Sequence, residues 1–212
     1  MPRLFFTPGV HGVMVGEILV LLDLRHDAYL CLPDAGGCAI RDDEIECDDA
    51  VADDLLADGL AGRVASPRFY KVRALPPGAS DQPGEDDGAS ALVQADLTGL
   101  ALVWLKLAPR RPTLLQLAQR VGRRPSRSAD ADILRVEAAN FHAARPYFPW
   151  IGQCLFQSWW MLEHLQARGL DATWVFAVRA WPFAAHCWLQ HGDLCLTDPP
   201  ETLAAYRPIL AI

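Results

Sequence analysis

Three residues in the last third of the chain have types and an order suited to acyl chemistry: Cys154, His186 and Asp198. A cysteine attacks a carbonyl carbon as its thiolate. A histidine can hold that thiolate and carry a proton, and a carboxylate can orient the histidine and stabilise its charge. Cys154 follows Pro149 and Gly152 and opens an apolar run to about Arg168. Helical spacing puts Cys154, Ser158, Met161 and Leu165 on one face, and Gly169 stops the helix. A cysteine in a helix's first turn faces unpaired backbone N–H groups and the positive end of the dipole, which favours the thiolate. Thr173–Ala180 then reads as an apolar strand. Ala185–His191 alternates, with His186, Trp188 and Gln190 on one face and Cys187, Leu189 and His191 on the other. Gly192-Asp193 is a tight turn, Leu194–Thr197 returns, and Asp198 precedes Pro199-Pro200. A helix followed by such a hairpin can bring thiol, imidazole and carboxylate together. Singly, each residue has an ordinary role in packing, hydrogen bonding or a turn; the joint order on these elements points to catalysis. Cys187 and Cys195 lack the helix-start environment, His191 faces away from His186, and His164 lies late in the helix.

The remaining composition limits what surrounds this triad. The chain has 212 residues, 51% apolar and 21% charged, which excludes a wholly disordered chain. At ~100–200 residues per domain, one domain or two small ones fit. The longest apolar run, Leu100–Leu107, is broken by Lys106 and falls short of the ~18 residues of a membrane span. MPRLFFTPGV holds too short an apolar stretch for a signal peptide, so the expectation is a soluble, cytoplasmic protein. Six cysteines occur without a C-x-x-C pair, which argues against a zinc ribbon; no metal or other cofactor is expected.

Residues 76–90 (PPGASDQPGEDDGAS) carry three Pro, three Gly and four acids, with Ala as the sole apolar type, and read as a flexible linker. Charge divides there: residues 1–90 hold 7 basic and 17 acidic groups, and residues 91–212 hold 12 and 9. Three parts are therefore expected, at 1–75, 76–90 and 91–212. In the front unit, Ile18–Leu24 and Ala28–Leu32 flank Arg25-His26-Asp27 as a hairpin. An earlier strand is expected within Leu4–Val15, a short helix over Asp48–Asp58, and a further strand over Phe69–Leu75. No catalytic groups cluster here, so the use expected of this unit is binding through a sheet edge beside a helix. The back unit opens with helical runs over Leu92–Leu107, Thr113–Val121 and Asp130–Arg145. Between Lys106 and Arg127 lie seven basic residues and no acid. No recognition motif accompanies them, so they read as a solvated or docking face rather than a nucleic-acid site.

The pattern C-L-x-x-S-x-x-x-L-x-x-L-x-x-x-G (Cys154 to Gly169), then P-F-x-A-H-x-W-L (Pro182 to Leu189), then Asp198, resembles the transglutaminase-like peptidases of lasso-peptide biosynthesis over roughly residues 128–212. More loosely, V-L-L-D-L (Val20 to Leu24), Tyr29-x-x-Leu32 and the Leu55–Leu60 helix end resemble that family's precursor-recognition module, here with a shortened helical part. The resemblance implies an α+β chain: a small winged-helix-like module, then a papain/transglutaminase-like domain with a helical lobe, a nucleophile helix and an antiparallel sheet. It implies that a precursor's leader segment adds as a strand to Ala28–Leu32 (Ala28, Tyr29, Leu30, Cys31, Leu32), near Val51 and Leu55 of the helix, with Tyr29 as a groove aromatic. It also implies cleavage between leader and core by Cys154, His186 and Asp198. The Cys154 backbone N–H would be an oxyanion donor, with Gln153 or Trp150 as candidates for the second. An ATP-using, asparagine-synthetase-like cyclase would be the downstream partner. Two alternatives keep this framework: an acyl transferase or transglutaminase with the same triad, and a non-catalytic precursor-binding scaffold.

Overall fold

The computed structural model describes residues 1–82, 112–124, 130–144 and 154–212. The expected helix over Leu92–Leu107, the positions Trp150 and Gln153, and the linker from residue 83 onward lie outside the described residues.

The front of the chain is built from β1 (Arg3–Phe6), β2 (Val10–Val15), β3 (Ile18–Asp23), β4 (Ala28–Leu32), β5 (Ala39–Arg41), β6 (Glu44–Glu46), α1 (Asp49–Ala57) and β7 (Ala61–Gly62). The expected hairpin is β3–β4, paired antiparallel from Leu19↔Leu32 to Asp23↔Ala28, with Asp27 at φ +52° in the turn. Leu4–Val15 yields two strands, because Pro8-Gly9 breaks the run and Gly9 adopts φ +95°. Asp48 caps α1, its carboxylate accepting from the Val51 N–H at 2.9 Å. The strands form two sheets, ordered β5-β6-β1-β7 and β2-β3-β4.

The back contains α2 (Leu114–Gly122), α3 (Ala131–Ala144), α4 (Cys154–Ala167), β8 (Thr173–Arg179), β9 (Ala184–His191), β10 (Leu194–Cys195), α5 (Pro200–Leu203) and β11 (Arg207–Ala211). Its sheet is antiparallel, ordered β10-β9-β8-β11. Gly169, at φ +78°, follows α4, and Gly192, at φ +59°, makes the β9–β10 turn. Alternation sorts the sheet's two faces. Trp174, Phe176, Cys187 and Leu189 lie in the large core with α4, while Val175, Ala177 and Trp188 face a smaller cluster with Leu203.

The three-stranded sheet β2-β3-β4 is a wall between two cores. Leu19 and Leu21, with Leu30 and Leu32 against them, close the front core with Val51 and Leu55. Leu22 and Leu24, with Val13 and Tyr29 against them, belong to the core of the back unit. The β3–β4 turn also meets the start of α2: the Leu114 N–H donates to Asp27 Oδ1 at 2.7 Å and the Leu115 N–H to the Leu24 carbonyl at 3.2 Å.

Phe69–Leu75 is not a strand. It makes one backbone bond to a sheet edge, from the Arg73 N–H to the Ala211 carbonyl at 2.8 Å, and is held instead by side chains. Tyr70 is buried against His11 (2.6 Å), and Arg73 pairs with Asp171 at 2.7 Å. The following residues are pinned too. The Pro77 carbonyl accepts from Gln190 Nε2 at 2.7 Å, Ser80 Oγ donates to Asp193 at 3.0 Å, and Asp81 pairs with Arg135. Of the seven basic residues from Lys106 to Arg127, Arg120 and Arg124 both pair with Glu163 of α4, at 3.1 and 2.7 Å. Among the described residues no helix is long and apolar enough to cross a membrane.

Candidate active site

Cys154 is the first residue of α4, in the turn whose backbone amides have no partner within the helix. Two elements hold it there. Ser158, one turn on, is fully buried and donates from Oγ to the Cys154 carbonyl at 2.7 Å. Trp174 of β8 in turn donates from Nε1 to Ser158 Oγ at 2.8 Å. The nucleophile's backbone is thus fixed by a hydrogen-bonded chain from the sheet rather than by its own turn alone.

β9 brings two consecutive side chains to this helix start. His186 Nε2 lies 3.1 Å from Asp198 Oδ1, and the ring also hydrogen-bonds Cys154. Cys187, buried and 3.4 Å from Ser158 Oγ, also hydrogen-bonds Cys154. His186 is flanked by Trp188 (6.1 Å between ring centroids) and Tyr206 (5.4 Å). His186 and Asp198 keep about a fifth of their side-chain surface in water, at 21% and 22%, and Cys154 is half-buried, so the site is reachable.

The electrostatics follow from this geometry. The Cys154 thiol is driven down to about 4, first by the hydrogen bond from Cys187, then by that from His186, against the opposing cost of burial. His186 rises to about 9, because it is hydrogen-bonded to Asp198 and then to Cys154. Cys187 is pushed up by burial and by the neighbouring sulfur. The stable arrangement is a Cys154 thiolate beside a His186 imidazolium, with the Cys187 thiol protonated and donating.

Three of the sequence candidates therefore converge: Cys154, His186 and Asp198. Alternation had set Cys187 apart from His186, yet its opposite face is the one that looks at α4. The signal was adjacency to His186 combined with that alternation. The Cys154 N–H stands at the helix start, whereas Gln153 lies outside the described residues.

Of the residues expected to bind a leader, Cys31 is exposed, while Ala28, Leu30 and Leu32 are half-buried, the two leucines against the front core. β4 is a terminal strand of its sheet, so one edge carries no strand among the described residues. Val51 and Leu55 are 8% and 0% exposed and are consumed by the front core, so they do not wall an open groove. Tyr29 faces the back unit, its ring meeting Phe183 edge-on at 5.9 Å. A groove of about 830 Å³ lies elsewhere, between β2, β5, residues 68–75 and β11, and none of Cys154, His186 and Asp198 lines it. Among the described residues no group of three His, Cys, Asp or Glu side chains is arranged to hold a metal ion.

The model of the transglutaminase-like superfamily matches residues 98–211, more than half of the chain and a span that contains all three converging side chains. No curated protein and no solved structure matches the chain significantly. A helix-start cysteine facing a strand-borne histidine and a carboxylate, within that match, places the chain in the transglutaminase-like superfamily, which includes cysteine peptidases and transglutaminases.

Proposed function

We propose that the protein is a leader peptidase of lasso-peptide maturation: it binds the precursor's leader segment on β4 and hydrolyses the leader–core bond through Cys154, His186 and Asp198. The observation that carries this reading is the thiolate–imidazolium pair lying next to a sheet whose terminal strand, β4, has one edge without a strand among the described residues and whose Tyr29 reaches into the same core as Cys154. The front unit recognises and the back unit cuts. The division is one of task, since the two share a core.

In the reaction the Cys154 sulfur attacks the scissile carbonyl carbon, and the developing oxyanion meets the Cys154 N–H. The carbonyl re-forms as the C–N bond breaks. His186 gives its proton to the departing core amine, leaving a leader thioester and a neutral imidazole. His186 then takes a proton from water, and the hydroxide adds to the thioester carbonyl and expels the Cys154 thiolate, releasing the leader as a carboxylic acid and restoring the ion pair. Asp198 holds the ring orientation and stabilises its charge in the protonated stages. The freed core amine is the group that an ATP-using, asparagine-synthetase-like cyclase would join into a ring, and that cyclase is the partner proposed.

The test uses the full chain and a precursor peptide encoded beside it. Cys154→Ala should reduce cleavage by about a thousandfold or more with leader affinity unchanged. Mass spectrometry should find a free leader acid. Leader coupled to an amine would instead make the protein an acyl transferase, and equal cleavage by the variant would remove Cys154 as nucleophile.

A further inference from the structure

The β8–β9 turn carries two large aromatic side chains in water: Trp181 is 83% exposed and Phe183 45% exposed. Phe183 stands three residues before His186 on the same hairpin, so whatever it touches lies at the catalytic end of the sheet. It touches Tyr29 of the front unit, ring edge to ring, with 61° between the planes. Tyr29 is fixed by its own strand: it is the cross-strand partner of Leu22 on the face turned to the back core. Both Tyr29 and Cys154 pack on that core. Burial lifts the Tyr29 phenol, and the Cys187 and Cys154 sulfurs add to the shift, as expected for a ring close to both.

We propose that Tyr29 and Phe183 form an aromatic subsite beside Cys154 that takes an apolar side chain on the acyl side of the bond attacked. This rests on the reading that Cys154 attacks a peptide carried by β4. The occupant follows from chain direction. A leader seated on β4 lies N-terminal to the cut and leaves as the acyl part. The residues joining β4 to Cys154 are therefore acyl-side residues, and the Tyr29 ring lies on the face of β4 turned to the core on which Cys154 packs. Two rings in edge-on contact favour a large aliphatic or aromatic group over a charged one. The front unit then completes the catalytic site as well as holding the leader.

The test labels the intact protein with peptidyl chloromethyl ketones that differ in one side chain, phenylalanine against aspartate, and with iodoacetamide, which has none. The rate of Cys154 modification is read by mass spectrometry. The phenylalanine reagent should react about tenfold faster than the aspartate reagent. Phe183→Ala and Tyr29→Ala should each remove most of that preference. Iodoacetamide rates should move far less. Equal rates for the two peptidyl reagents in the unmodified protein would overturn the subsite alone. So would variants that slow iodoacetamide as much as the phenylalanine reagent, since that marks a structural effect. Cys154 reacting with iodoacetamide no faster than the exposed Cys31 would overturn the nucleophile and the functional reading with it.

Discussion

A thiol attacks at neutral pH only to the extent that it is ionised, and here two neighbours ionise it by different means. Cys187 donates a hydrogen bond to the sulfur, and His186 adds both a hydrogen bond and a charge. The ion pair exists where Cys154 has lost its proton and His186 still holds one. With Cys154 lowered to about 4 and His186 raised to about 9, reactivity should climb through the first value, hold a plateau, and fall as pH passes the second. A pH profile of peptide cleavage should show both limbs; an acid limb in the ordinary thiol range would refute the pair. Cys187→Ala should move the acid limb upward by about one unit, and Cys187→Ser, which keeps a donor, should restore it. If both variants behave alike, the sulfur's volume matters and its hydrogen bond does not.

Single elements serve two tasks at once, and β3 shows this most clearly. Its odd-numbered leucines, Leu19 and Leu21, face the front core, and Leu22 faces the core that supports α4. The strand was legible as a short apolar run before a polar turn, because a strand buried on both faces reads as a continuous apolar run, and Ile18–Leu24 was such a run. Leu22→Ala should cost about 2–5 kcal/mol, measured by urea unfolding, because the cavity opens in a core with no solvent path. A loss below about 1 kcal/mol would mean that the wall is not shared. Phe69–Leu75 misled in the opposite sense. Its apolar and β-favouring residues suggested a ladder, but Tyr70 and Arg73 spend their side chains on His11 and Asp171, and the backbone meets β11 only once.

For the molecule as a whole, the composition break at 76–90 and the packing do not coincide. Residues 77–81 are bound to the back unit through Gln190, Asp193 and Arg135, and Leu22, Leu24 and Tyr70 sit in one cluster with Leu162 and Phe176. The full chain should therefore unfold in one calorimetric transition, with van't Hoff and calorimetric enthalpies in agreement. Two resolved transitions would show that the front and back cores melt independently.

Local chemistry was enough to mark Cys154, His186 and Asp198 and the elements that carry them. A helix start, a period-two strand and a glycine turn each follow from residues a few positions apart. It was also enough to mark the β3–β4 hairpin. The nearness of Cys187 to Cys154, the reach of Tyr29 across to Phe183, and the burial of Val51 and Leu55 were decided only by tertiary structure. Those contacts depend on how one sheet stacks against a helix and against another sheet. Residues 29 and 183, or 154 and 187, acquire their relation only when the chain between them has folded.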